Sequence, residues 1–166
     1  MTSVLWLRRD LRRRDHPALL AARDAAGDGD LVVVFVVDPR LWDGGGAARR
    51  AWLAATLEAT DDAFDGSLTL LHGDPRRVVP ELAVRVGASS VHVSRETTPA
   101  GRRRDEAVAK TLGDNGIEWV ETGTPYAVGP GLVLNGSGEP YKVFTPFARA
   151  WRAHGWPDPA PKRGAT

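Results

Sequence analysis

Short apolar runs alternate along this chain with longer stretches whose apolar residues recur at helical spacing. "VLWL" (Val4 to Leu7) is ended abruptly by charges, and "LVVVFVV" (Leu31 to Val37) is continuously apolar and largely β-branched, as a strand buried on both faces should be. "LTLLHG", "SVHVS" and "IEWVET" continue the series. Between these runs lie "PALLAARDAAG", "AARRAWLAATLEATDDAF", "PRRVVPELAVRVG" and "GRRRDEAVAKTLGDNG". Pro17 and Gly27 bracket the first of these, Pro75 and Gly87 the third. Proline has no N–H to waste at a helix start, and glycine accepts the left-handed turn just past its end. The second stretch puts Ala51, Leu53 (or Ala54), Leu57 and Phe64 on roughly one side. Strands that alternate with crossover helices pair in parallel. The pattern predicts an α/β fold: a doubly wound, Rossmann-like, five-stranded parallel sheet with helices on both faces.

After Thr122 the alternation stops. "GTPYAVGPGLVLNGSGEPYKVFTPFARAW" is rich in glycine and proline and predicts an ordered loop before a short helix, with Thr145 as its cap and Pro146 as its first residue. "GWPDPAPKRGAT" reads as extended linker. The expected organisation is one domain over residues 1–155 and the start of a linker over residues 156–166, in a chain cut from a longer protein.

Composition narrows the field. A length of 166 residues serves one core, and 42% hydrophobic with 26% charged content is ordinary for a globular protein. The stretch "RRDLRRRDHPAL" (Arg8 to Leu19) looks like a nucleic-acid-binding arm. Yet 22 basic residues stand against 21 acidic ones, and Asp10 and Asp15 sit within the stretch itself. A stand-alone nucleic-acid binder shows a clearer basic excess. Cysteine is absent, which excludes disulfides, thiolate metal sites and cysteine nucleophiles. Without a leader or an apolar run long enough to span a bilayer, a cytoplasmic protein with no membrane contact is expected. The sequon at Asn135-Gly136-Ser137 is then a chance match.

Ligands in such a sheet bind outside the carboxyl ends of the strands, here after Leu7, Val37, Leu71 and Val93. No dinucleotide fingerprint follows the first strand, and Gly44 to Gly46 lack the Lys-Ser/Thr of a phosphate loop. The four histidines share no metal-ligand spacing; His72 and His92 read as structural. No Gly-x-Ser-x-Gly elbow exists, and no self-sufficient catalytic constellation appears.

Two blocks carry a specific likeness. One is "LWLRRDLRRRDHPAL", a strand followed by Arg8-x-Asp10-Leu11-Arg12-x-x-Asp15-x-x-Ala18-Leu19; the other is "GSGEPYKVFTPFARAW", Gly136 to Trp151. In this order and at this spacing they resemble the amino-terminal domain of DNA photolyases and cryptochromes. "FVVDPRLW", "HGDP" and "RRRDEAV" fit as well, so the likeness covers essentially the whole chain. The resemblance implies a linker to an absent helical domain that binds FAD and damaged DNA. The parent protein would then be a deoxyribodipyrimidine photo-lyase, repairing cyclobutane pyrimidine dimers with light; this stretch alone is not expected to repair DNA.

For the present domain, the resemblance implies an antenna-chromophore site. The matching positions are Val36 and Asp38 at the end of the second strand, Arg49 at the start of the following helix, and Glu96 after the fourth strand. Ser94 stands where the family often has asparagine, and Thr98 where it often has an acid. These departures, with the Arg49 and Glu96 pair, suit 8-hydroxy-5-deazaflavin better than methenyltetrahydrofolate. Each position also has a plainer reading: Asp38-Pro39 as a strand-ending turn, Arg49 as a solvated helix residue, Glu96 as a cap for the helix near Gly101, Arg104 and Asp105 as a structural ion pair. Asp10 and Arg12 are expected to fix the turn after the first strand and to help dock the absent domain, with Tyr141, Phe144, Phe147 and Trp151 as apolar docking anchors, and Arg9, Arg13 and Arg14, at variable positions, are expected in solvent. A cryptochrome photoreceptor and a universal-stress-type nucleotide-binding module are the alternatives.

Overall fold

Alternation of side chains across each strand divides this molecule into two cores. The computed structural model describes residues 1–161. Five strands, β1 (Thr2–Leu7), β2 (Leu31–Val37), β3 (Leu68–His72), β4 (Ala88–Val93) and β5 (Glu118–Glu121), form one parallel sheet in the order β3-β2-β1-β4-β5. On one face Leu5, Leu7 and Val33 pack with Ala18, Leu19 and Ala22 of α1 (Pro17–Ala26) and with Phe64. On the other, Val4, Trp6, Val34 and Val36 meet Val78, Val79 and Leu82 of α4 (Pro75–Arg85) and Val108 and Leu112 of α5 (Pro99–Asp114). Successive strand residues point to opposite faces, so the unbroken apolar run of β2 supplies both cores at once. The expected doubly wound sheet is present.

Local chemistry explains the helix starts. Pro17, Pro39, Pro75 and Pro99 each open a helix, behind N-caps His16, Asp38, Asp74 and Thr98, whose side chains accept backbone amides of the first turn. Two elements depart from the sequence pattern. A five-residue helix, α2 (Pro39–Asp43), follows β2 directly, because Asp38 caps it and Arg40 folds back onto the cap. The last helix, α6 (Phe144–His154), begins one residue before Thr145, with Val143 at the cap position and no side-chain cap bond. Thr145 and Pro146 therefore lie inside its first turn.

The long helix α3 (Ala47–Ala63) is lightly embedded for its length. It buries Leu57 and Thr60, and Phe64 at its C-cap, while Ala51 is exposed and Leu53 half-buried. Residues 156–161 belong to no helix or strand, and the remainder of the expected linker lies outside the described residues.

Candidate functional site

β1 is the strand at which the winding reverses: β2 and β3 lie to one side, β4 and β5 to the other. The crevice between the carboxyl ends of β1 and β4 is therefore the switch point of the sheet. Here it is filled by the chain itself. Arg8 reaches over the gap to Asp105 (Nη1–Oδ2 2.5 Å) and to the Ser94 carbonyl. Asp10, only 3% exposed, accepts the Arg8 amide (2.9 Å) and the Ser94 hydroxyl (2.5 Å). His16 Nδ1 accepts the Leu19 amide at 3.1 Å, so the proton of the neutral ring sits on Nε2, which lies 3.2 Å from Asp10 Oδ2. Burial pushes the Asp10 carboxyl up, but the facing His16 ring, Ser94 and the Arg8 amide outweigh burial and hold it far below the ordinary range. The guanidinium groups of Arg8 (5.1 Å) and Arg104 (4.9 Å) both lie over the Trp6 ring.

Most other arginines of the opening stretch also have internal partners. Arg9 donates to the Tyr126 hydroxyl (3.0 Å) and pairs with Glu96 (3.4 Å). Arg12 Nε donates to the Asp15 carbonyl. Arg13 donates to the Ala63 carbonyl (2.7 Å) and Asp65 (2.8 Å), closing the end of α3. Only Arg14 is exposed with no ion pair among the described residues. The expectation that Arg9, Arg13 and Arg14 are solvated holds for Arg9 and Arg14, both exposed, while the Arg13 side chain is half-buried. Asp10 fixes the turn as expected, with Arg12 N donating back to its carbonyl at 2.7 Å, but it is interior, which takes its side chain out of the expected docking surface.

The four positions expected at an antenna site are placed as follows. The Val36 side chain belongs to the core under α4, which leaves its backbone as the group available at the strand end. Asp38 is buried; its cap bonds and its bidentate contact with Arg40 (3.0 and 2.6 Å) hold its carboxyl below the usual value. Arg40 reaches on to Asp74 (3.3 Å), where Arg76 lowers the carboxyl to about 2. Arg49 is exposed and makes no ion pair among the described residues. Glu96 folds over the start of α5 and accepts the amides of Thr97 (2.8 Å) and Thr98 (3.0 Å). Burial raises the Glu96 carboxyl, and these amides, with Arg9, bring it net below its ordinary value. A Cβ at Gly101 would overlap Glu96 Cγ and Cδ, so this fold-back requires glycine there. Thr98, not Glu96, caps the helix.

An open cavity of about 840 Å³ is lined by Glu96 together with Arg95, Arg102, Trp119, Glu121 and others; Val36, Asp38 and Arg49 are not among its lining residues. What sequence reasoning missed is α2 and the exposed face of α3. Leu41 and Trp52 are 63% and 68% exposed on the two helices that flank Asp38 and Arg49. Trp52 follows Arg49 by three positions, so the two share a helix face. The spacing is visible in the sequence, but nothing in it marks that face as uncovered. No group of three metal-ligating side chains occurs among the described residues, and no helix there is long and apolar enough to cross a membrane.

Fold and site define a doubly wound α/β domain whose switch point is sealed by its own ion network, with a cation and an aromatic ring displayed separately on α3. A family model for DNA photolyase matches residues 3–163. The chain belongs to the DNA photolyase family and carries its amino-terminal α/β domain. It is 37% identical to a deoxyribodipyrimidine photo-lyase of Synechococcus sp. over 94% of this chain and 33% of that protein. It is 40% identical to an uncharacterized 31.6 kDa protein of another Synechococcus strain, over 90% of this chain and 54% of that one. A bacterial class III photolyase from Agrobacterium tumefaciens superposes with a TM-score of 0.79 at 31% identity, over 95% of this chain and 32% of its own. The chain thus spans a third to a half of the length of these relatives. The family match displaces the nucleotide-binding module as an alternative, and the internal pairing of Arg8, Arg9 and Arg13 displaces the DNA-binding arm.

Proposed function

We propose that this domain, residues 1–155, carries a light-harvesting chromophore for a flavin-dependent photolyase. One observation carries the reading: the exposed pair Arg49 and Trp52 on the first turns of α3, the helix that follows in sequence the Asp38 cap and the exposed Leu41 of α2. An unpaired guanidinium beside uncovered apolar surface is what a planar, partly anionic ring system needs, a few placed polar groups in an apolar setting. Such a group fits these residues. Arg49 would meet its polar edge, Trp52 and Leu41 its face, and the backbone at Val36 and the Asp38 carboxylate its ring hydrogen-bonding groups. When bound, the chromophore supplies absorption and transfer of excitation energy. Glu96, its oxygens taken up by amides and by Arg9, enters as a positioning residue that holds Arg9 in place.

Arg49 and Glu96, with Ser94 where the family often has asparagine, favour 8-hydroxy-5-deazaflavin over methenyltetrahydrofolate. In the full-length protein the partner is a carboxy-terminal FAD-binding domain, and the activity is light-driven repair of cyclobutane pyrimidine dimers in DNA, in the cytoplasm. Residues 156–166 begin the linker to that domain. Tyr141, Phe144, Phe147 and Trp151, with Arg12 at the rim, form the docking side. Phe144 is 78% exposed and α6 buries none of its residues, which supports a covering partner there. A cryptochrome photoreceptor is the second form of the same architecture.

Titrating the chain separately with deazaflavin and folate, and following the bound absorption band, tests the assignment. Deazaflavin should bind, and Arg49→Ala should weaken it about tenfold, the effect of about 1.4 kcal/mol. Folate-only binding overturns the choice of chromophore; absence of binding by either overturns the antenna reading.

A further inference from the structure

The segment that leaves α6 is tied down. Ala160 N donates to Asp15 Oδ1 at 2.8 Å, across 145 positions of sequence. At the other end of the same segment the Trp156 ring stacks on Trp151, centroids 5.0 Å apart and tilted by 30°. Residues 156–161 therefore run as a strap between α6 and the loop joining β1 to α1. A second tie, Arg9 to the Tyr126 hydroxyl, fastens the irregular segment after β5 to the same loop.

Asp15 is placed for this role at a conformational cost. It is one of two non-glycine residues with positive φ among the described residues (φ 49°; the other is Asp65). Glycine adopts that backbone more readily, and asparagine and aspartate are the side chains that tolerate it best. Fit to the turn alone would favour glycine. Aspartate adds an acceptor, and the acceptor meets the one backbone amide of the strap that returns to the loop. Arg12, whose Nε donates to the Asp15 carbonyl and whose Nη2 lies 3.9 Å from its carboxylate, steadies the turn from inside.

We infer that the β1–α1 loop is the docking platform for the segment Trp156–Pro161, with Asp15 as the positioning residue that pins it. The segment Trp156–Pro161 is then held at the β1–α1 loop instead of swinging from the end of α6. The strap is independent of chromophore binding and holds whether or not an antenna is carried.

Amide hydrogen exchange on the intact chain tests it, with Asp15→Gly, Asp15→Ala and Asp15→Asn compared with wild type and the core amides of Leu5 and Val91 as internal reference. Wild type should show protection at Ala160. Glycine, which suits the backbone better, and alanine should abolish that protection while the core amides stay protected; asparagine, which keeps an acceptor, should retain it. An unprotected Ala160 in wild type, protection that survives in the glycine and alanine variants, or its loss in the asparagine variant overturns the inference.

Discussion

At Asp10 a buried carboxylate faces three groups, the Arg8 amide, the Ser94 hydroxyl and His16 Nε2. An amide in its place keeps the shape but turns an N–H toward those donors. Asp10→Asn is expected to cost about 3 kcal/mol, the order of leaving buried polar groups mismatched, measurable by urea unfolding at pH 7. The pH dependence follows from the depressed pKa. The Asp10 contribution is fully present above the unfolded-state value, about 3.9, and is lost as pH falls through the lower folded value. Wild-type stability should therefore fall off below about pH 4, and more steeply than that of Asp10→Asn. Asp38, Asp74 and Glu96 are also depressed, so a residual slope remains in the variant. An unchanged acid limb would remove Asp10 from this account.

At the level of elements, α3 depends on its ends. It buries few side chains, and Arg13 closes it by bonding the Ala63 carbonyl and the Asp65 carboxylate while lying 6.0 Å over the Phe64 ring. Arg13→Ala should lower stability by about 1 kcal/mol and speed amide exchange at Phe64 to Gly66. Equal exchange rates in the two proteins would assign the helix end to Phe64 burial alone. Elements such as β2 and α1 are legible in the sequence because β-branched runs and a cap–proline start act locally. The five-residue α2 carries too little periodicity to stand out, and the start of α6 is misleading because Thr145 and Pro146 look like a cap although the helix begins at Phe144. The partners of Arg9 and Arg13 are hidden for a different reason. They lie 117 and 52 positions away, and no spacing within the stretch encodes them. For the candidate site, residue types after each strand are readable, but that Val36 faces the core and that Glu96 folds onto α5 are facts of packing.

Across the whole molecule, the sheet end and the carboxy-terminal third differ in finish. Core residues such as Leu5, Val34 and Val91 are sealed, while Leu132, Leu134, Val143, Phe144 and Trp156 remain open. Uncovered apolar area of this kind drives association. The isolated chain should self-associate with rising concentration in sedimentation equilibrium, and Phe144→Ser should weaken that association. Losing about 2 kcal/mol of burial corresponds to roughly thirtyfold in Kd. A strictly monomeric wild type at high concentration would show that this surface is quiet on its own.

The sealed switch point has a consequence for how the molecule meets a polyanion. Charges paired at contact distance cancel at long range, and what remains is screened within a Debye length of about 8 Å in physiological salt. The paired arginines of the opening stretch, all but Arg14, therefore cast little field into solution, and a net charge of +1 gives the domain little overall pull on DNA. Encounter rates in any assembly that includes this domain, and their steep salt dependence, would be set by charges carried elsewhere.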